Sequence, residues 1–286
     1  MWHRCAAGWL LAALVLGPMT TWAQLQDRAR ERELFGDWAY ANNAGWRALR
    51  DGRLSEAERW FHKAIDKARP GSARDPRLLA RSYADLGWIL YKEGRAAEAE
   101  PLVKWALGVR EKAFGDGTRQ VAESRYVLGL IYAAQFKYEQ AEEMLARSIL
   151  DWEKILGPSH PDIAYYLNDL AEFYAEQRKY DKAEDLFQRV LAMPERYLPA
   201  DHPHRAASLL GLATLRTAQH RPEEAVPLLR RALAILEANY PKDHPDLVAA
   251  RKALAASQQA ADRADTAKAA AKPPEPPRPQ DQPDGH

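Results

Sequence analysis

The sequence predicts an all-α protein, an α-solenoid of antiparallel helical hairpins. Three observations carry this reading. Ala57, Ala99, Ala141, Ala183 and Ala225 recur every 42 residues. Twelve residues before each stands a second small residue: Gly45, Gly87, Gly129, Ala171 and Ala213. Ala and Leu are abundant while β-branched residues are sparse, which favours helix over strand. A fixed period of this length marks a repeat architecture, in which each unit buries its apolar face on its neighbour. Small residues at one point of two helices let their backbones approach, and large apolar residues at i, i+3 and i+4 fill the seam around them.

The elements follow in order along the 286 residues. Residues 1–23 read as a signal peptide: His3 and Arg4 open a short basic start, residues 5–17 are apolar, and Thr21-Trp22-Ala23 offers a small-residue cleavage site before Gln24. The apolar stretch is shorter than the roughly 20 residues a membrane span needs, so no transmembrane segment is expected after cleavage. Cleavage removes Cys5, the single cysteine, and with it thiol and disulfide chemistry. No Leu-x-x-Cys lipobox ends the apolar stretch. The expected destination is periplasmic or secreted, in a bacterium. Residues 24–36 read as a separate N-terminal segment, open to a helix of its own but of weak periodicity. A repeat array over 37–265 comprises five hairpins, at about 37–70, 76–114, 119–156, 161–197 and 203–239, and one capping helix at about 245–265. The remaining 266–286 read as a disordered tail, since six of its last fifteen residues are proline.

In the fourth unit Leu167, Leu170, Phe173 and Tyr174 make one apolar stripe, and Leu186, Phe187, Val190 and Leu191 the other. The polar turn Gln177-Arg178-Lys179 joins them. Gly52 and Gly94 mark the corresponding turns of the first two units, whereas Phe136, Arg178 and His220 occupy that place in the next three. The pairs His160-Pro161, His202-Pro203 and His244-Pro245 also keep the 42-residue step. Pro suits a first helical turn, where its missing N–H is not needed. Ser159, Asp201 and Asp243 precede the pairs as candidate caps, and Asp162 and Asp246 put negative charge at a positive helix end. Three histidines so spaced cannot share one metal: equivalent points on successive hairpins lie two helices apart, at about 8–10 Å per helix, against ligand distances near 2 Å. The pairs read as punctuation between hairpins.

The stretch GPSHPDIAYYLNDLAEFYAEQRKYDKAEDLFQRVL and its relatives resemble the tetratricopeptide repeat, in the 42-residue form of kinesin light chains. The resemblance covers about 37–260 and implies a right-handed superhelix whose concave wall is formed by the first helix of each hairpin. It also implies a groove along that wall. Carried onto this register, one groove row is Asn42, Ala84, Tyr126, Asn168 and Leu210; the next is Trp46, Trp88, Leu130, Glu172 and Thr214. Arg50, Arg81, Tyr91, Lys92 and Tyr165 lie beside them. Asn42 and Asn168 match the family's groove asparagine, whose amide both donates and accepts. Trp46, Trp88, Tyr91 and Tyr126 would form an aromatic strip, with Arg50, Arg81 and Lys92 adding positive charge; aromatic and Arg side chains are common binding anchors. Spacing alone leaves two readings of each tryptophan open, packing between repeats or lining the groove.

Charge excludes one class and motifs another. With 41 basic against 40 acidic residues, no basic excess points to nucleic acid. The balance is +3 over 37–116 (15 basic, 12 acidic) and −4 over 117–200 (10 basic, 14 acidic). No zinc-protease, nucleophile-elbow, phosphate-loop or dinucleotide motif is present, so neither catalysis nor a cofactor nor a metal is expected. The expected function is a non-catalytic scaffold for protein–protein interaction, binding an extended peptide or a partner helix. A chaperone-like factor for envelope assembly or export, or a regulatory subunit of an envelope enzyme, is the alternative.

Overall fold

The computed structural model describes residues 22–68 and 76–270. The expected signal segment lies outside the described residues except for its last two positions, and most of the proline-rich tail lies outside them too. Every regular element among the described residues is an α-helix, with no strand. They fall into two units, Met1–Gly157 and Pro158–His286. The first unit contains α1 (Trp22–Arg50), α2 (Leu54–Ala68), α3 (Pro76–Lys92), α4 (Ala96–Phe114), α5 (Arg119–Ala134) and α6 (Tyr138–Leu156). The second contains α7 (Pro161–Glu176), α8 (Tyr180–Leu191), α9 (Pro203–Ala218), α10 (Pro222–Asn239) and α11 (Pro245–Ala270). No helix among the described residues is long and apolar enough to cross a membrane.

Each hairpin closes on one bond pattern. The N–H groups of Arg53, Arg95, Lys137, Lys179 and Arg221 donate to the carbonyls of Ala48, Leu90, Tyr132, Tyr174 and Arg216. This is the helix-ending arrangement that needs a left-handed residue just before the donor. Gly52 and Gly94 supply it with φ of 74° and 78°, and Phe136, Arg178 and His220 adopt the same region at φ 60°. The 42-residue period is thus written in the backbone bonds as well as in the side chains.

The small residues sit where helices meet. Ala57, Ala99, Ala141, Ala183 and Ala225 are fully buried. A β-carbon on Gly87 would lie 2.3 Å from Val103 Cγ2, so the Val103 side chain of α4 fills the space a side chain at 87 would take. In the first unit Trp38, Ala41, Ala64 and Ala68 form a cluster with Trp60, Leu78 and Leu79. In the second, Ala206, Leu209, Ala232, Leu233, Ile235, Leu236, Leu247 and Ala250 join α9, α10 and α11.

Three local features differ from the expectation. The segment 24–36 is not separate but continues α1, which begins at Trp22. The second helix of the fourth repeat ends at Leu191 rather than near 197. Pro194 and Pro199 follow it, and the buried Arg205 guanidinium donates to the carbonyls of Leu191, Met193, Leu198 and Pro199, satisfying backbone that helix would otherwise pair. The His-Pro helices are capped by the histidines, not by the residues before them. Nδ1 of His160, His202 and His244 accepts from the N–H of Asp162, His204 and Asp246 at 3.2, 3.1 and 3.3 Å.

Candidate functional site

In the first unit three of the residues singled out by sequence, Asn42, Trp46 and Arg81, gather around a carboxylate that sequence reasoning missed. Asp85 is the one acid of α3, placed one residue after Ala84 of the groove row, and its side chain keeps 11% of its exposure. Trp46 on α1 donates its indole N–H to Asp85 Oδ2 at 3.1 Å. Asn42, one turn earlier, also hydrogen-bonds this carboxylate. Arg81 stands one turn before it with Nε at 4.0 Å. Burial pushes the Asp85 carboxyl up from its ordinary 3.8 to about 6, against the opposing pull of Arg81, the Trp46 bond, Arg110 and the Asn42 bond.

The surroundings explain why this carboxylate is poorly compensated. Arg110 on α4 turns its guanidinium to Ser124 Oγ at 2.7 Å and the Gln120 carbonyl at 3.0 Å. Arg81 is half exposed and its guanidinium lies 5.8 Å from the Trp38 ring. Asn42 is 1% exposed, and among the described residues its Oδ1 has no hydrogen-bond partner. Elsewhere in the unit, buried charge is well matched: Arg125 donates to Asp151 at 2.6 Å, to Glu111 at 2.8 Å and to Asp116. The contrast marks the Asn42–Asp85 cluster as a place where the fold leaves one buried acceptor, Asn42 Oδ1, unmet.

The aromatic strip divides. Trp46 is 40% exposed, with its ring edge-on to the buried Phe61 at 6.0 Å. It both packs and faces outward, so the two readings of this residue are not exclusive. Trp88 is partly buried, tilted against Tyr91 at 5.6 Å, and Lys92 Nζ lies 5.0 Å from its ring. Arg50 is exposed at the end of α1. Tyr126, placed in the aromatic strip by sequence, is buried in α5, as Asn42 and Ala84 of the same register row are in α1 and α3.

In the second unit Tyr165 is 40% exposed, near Tyr166 and His204 at 5.3 and 6.1 Å between ring centres. Asn168, placed in the groove row by sequence, finds its partners within the unit. It is 4% exposed; its Nδ2 donates to the His204 carbonyl at 3.0 Å, and its Oδ1 accepts from Ser208 Oγ at 2.6 Å. Both ends of its amide are thus met by α9. Among the described residues no group of three or more His, Cys, Asp or Glu side chains is placed to hold a metal ion.

Comparison with known proteins places this arrangement. One tetratricopeptide-repeat family model matches residues 120–196, 166–238 and 204–272, and a second matches 79–119. A comparison with curated proteins finds no match. Among solved structures, a putative kinesin light chain of Podosopora anserina with nearly identical TPR-like repeats is 27% identical, with a TM-score of 0.55 over 68% of this chain and 92% of that one. BtubC (BKLC) of P. vanneervenii shares the fold at 19% identity, with a TM-score of 0.60 over 78% of this chain and 94% of that one. The apo form of RapI shares it at 12% identity, with a TM-score of 0.54 over 85% and 92%. With repeat models running from residue 79 to 272, and with the hairpin seams and turns recurring every 42 residues, the chain belongs to the tetratricopeptide-repeat family.

Proposed function

We propose that the protein is an exported, non-catalytic interaction scaffold that takes an extended stretch of a partner polypeptide on the first-helix surface of its N-terminal unit. The observation that carries this reading is Asp85, a carboxylate kept under cover beside the Trp46 indole and the unmatched Asn42 Oδ1. Packing alone has no use for it, since a carboxylate in such a place costs stability. Perturbed, poorly paired acids concentrate where a protein meets a ligand. An extended peptide offers main-chain N–H donors at regular intervals, and Trp46, Trp88 and Tyr91 offer flat apolar surface for its side chains. The absence of catalytic motifs from the sequence supports a binding role over chemistry.

The test is a photoreactive side chain at position 88, crosslinked in cells and mapped by mass spectrometry. One recurring segment of one partner is expected, and Trp46→Ala should abolish the crosslink without loss of helicity. Scattered products unaffected by Trp46→Ala would refute the assignment. Export is tested by fractionation and N-terminal sequencing, with a mature chain starting at Gln24 as the expected result.

A further inference from the structure

The histidine caps of α7, α9 and α11 have a chemical condition attached. An imidazole accepts at Nδ1 only while that nitrogen carries no proton. Each of these helix starts is therefore capped by a neutral ring with its proton on Nε2. At two of the three, an acid stands by. Asp162 Oδ2 lies 3.7 Å from His160 Nδ1, and Asp246 Oδ2 lies 3.8 Å from His244 Nδ1. When either ring takes up a proton, the lost acceptor is replaced by an ion pair with a carboxylate that already suits a helix start.

At α9 the equivalent position holds His204 instead of an acid. The rings of His202 and His204 are 4.7 Å apart. Asp162 and Tyr165 of α7 face His204, Arg205 and Asp201 flank the pair in sequence, and Asn239 of α10 donates to the Asp201 carbonyl at 2.8 Å. Arg205 brings no acceptor, being a cation engaged with backbone carbonyls. Burial, and next the neighbouring His202, hold the His204 pKa below its ordinary 6.5, with Asp162 opposing. The His204 carbonyl, in the same first turn, accepts from Asn168 Nδ2 on α7 at 3.0 Å and from Ser208 Oγ at 3.1 Å.

We propose that the start of α9 is a proton-operated joint: protonation of the His202–His204 pair removes the Nδ1 cap, sets two cations side by side and loosens the turn that Asn168 of α7 holds, while the acid-backed starts of α7 and α11 stay closed. The sign follows from linkage. The folded state favours a neutral His204, so the unfolded state binds more protons there, and stability that is complete above pH 6.5 falls as the pH drops below it. The joint does not depend on the binding reading of the first unit.

Hydrogen exchange by mass spectrometry on the full chain, at pH 7.5 and 5.0 and corrected for intrinsic rates, tests this. Protection over 203–208 is expected to fall roughly five-fold or more at pH 5.0, the size of losing one N-cap, with the starts of α7 and α11 holding. His204→Asp restores the acid of the sister helices, and His202→Asn keeps a cap that does not titrate. Each should abolish the fall. Equal loss at all three helix starts, or a fall that persists in His204→Asp, would overturn the proposal. So would an NMR spectrum of the wild-type chain showing His202 protonated on Nδ1 at pH 7.5, independently of any variant.

Discussion

Replacing Asp85 by Asn removes a buried charge while keeping an acceptor for the Trp46 indole. The carboxyl is pushed from 3.8 to about 6, and at about 1.36 kcal/mol per pKa unit the ionised form costs the fold about 3 kcal/mol above pH 6. Losing Arg81 subtracts little, because that guanidinium is half exposed and 4.0 Å away. Asp85→Asn is therefore expected to stabilise the chain by about 1–3 kcal/mol at pH 7.5. The folded state holds its proton more tightly than the unfolded state, so the wild type gains stability as the pH falls from 6 towards 3.8, and the advantage of the variant shrinks over the same window. Urea unfolding followed by far-UV circular dichroism at pH 7.5 and 4.5 measures both quantities. A variant less stable than the wild type at pH 7.5, or one whose gain does not change with pH, would refute the reasoning. Stability gained together with partner binding lost is the outcome expected if the acid is kept for function.

Gly87→Ala places a methyl 2.3 Å from Val103 Cγ2 and should cost about 1–3 kcal/mol, with Val103→Ala restoring most of it in the double variant; chemical unfolding reads both. Arg205→Met strips the donor from four carbonyls and should cost at least about 3 kcal/mol. Arg205→Lys should rescue little of that, since one ammonium cannot reproduce the guanidinium fork; thermal melts of the three chains compare them. Arg178→Gly relieves a left-handed residue at φ 60° and should raise stability by about 0.5–1 kcal/mol, with no change in the helical spectrum.

Much of the architecture was open to sequence reasoning because one constraint recurs. A side chain larger than methyl cannot enter the helix seam, so Ala57 and its four successors mark every hairpin without help from distant residues. The turns were equally plain in position, although Phe136, Arg178 and His220 hide the conformation that Gly52 and Gly94 announce. The histidines were recognisable as helix starts, but an imidazole reaching over its own proline to the next N–H is a matter of rotamer, and Ser159, Asp201 and Asp243 were the plausible caps by chemistry alone. The site was less legible. Asn42 and Asn168 share a register position, yet one leaves an acceptor bare and the other is satisfied by Ser208 and His204, some forty residues away. Asp85 gains its meaning from Trp46 and Asn42, about forty residues before it, and only folding sets the three together.

The first helix is nearly twice as long as the one that folds back on it, 29 residues against 15. At about 1.5 Å per residue, its leading half overshoots the hairpin by roughly 20 Å. That overhang is a stand-off rod. It sets residue 22 about 20 Å beyond the far end of the hairpin, while Trp46 and its bond to Asp85 lie near the opposite end of the same helix.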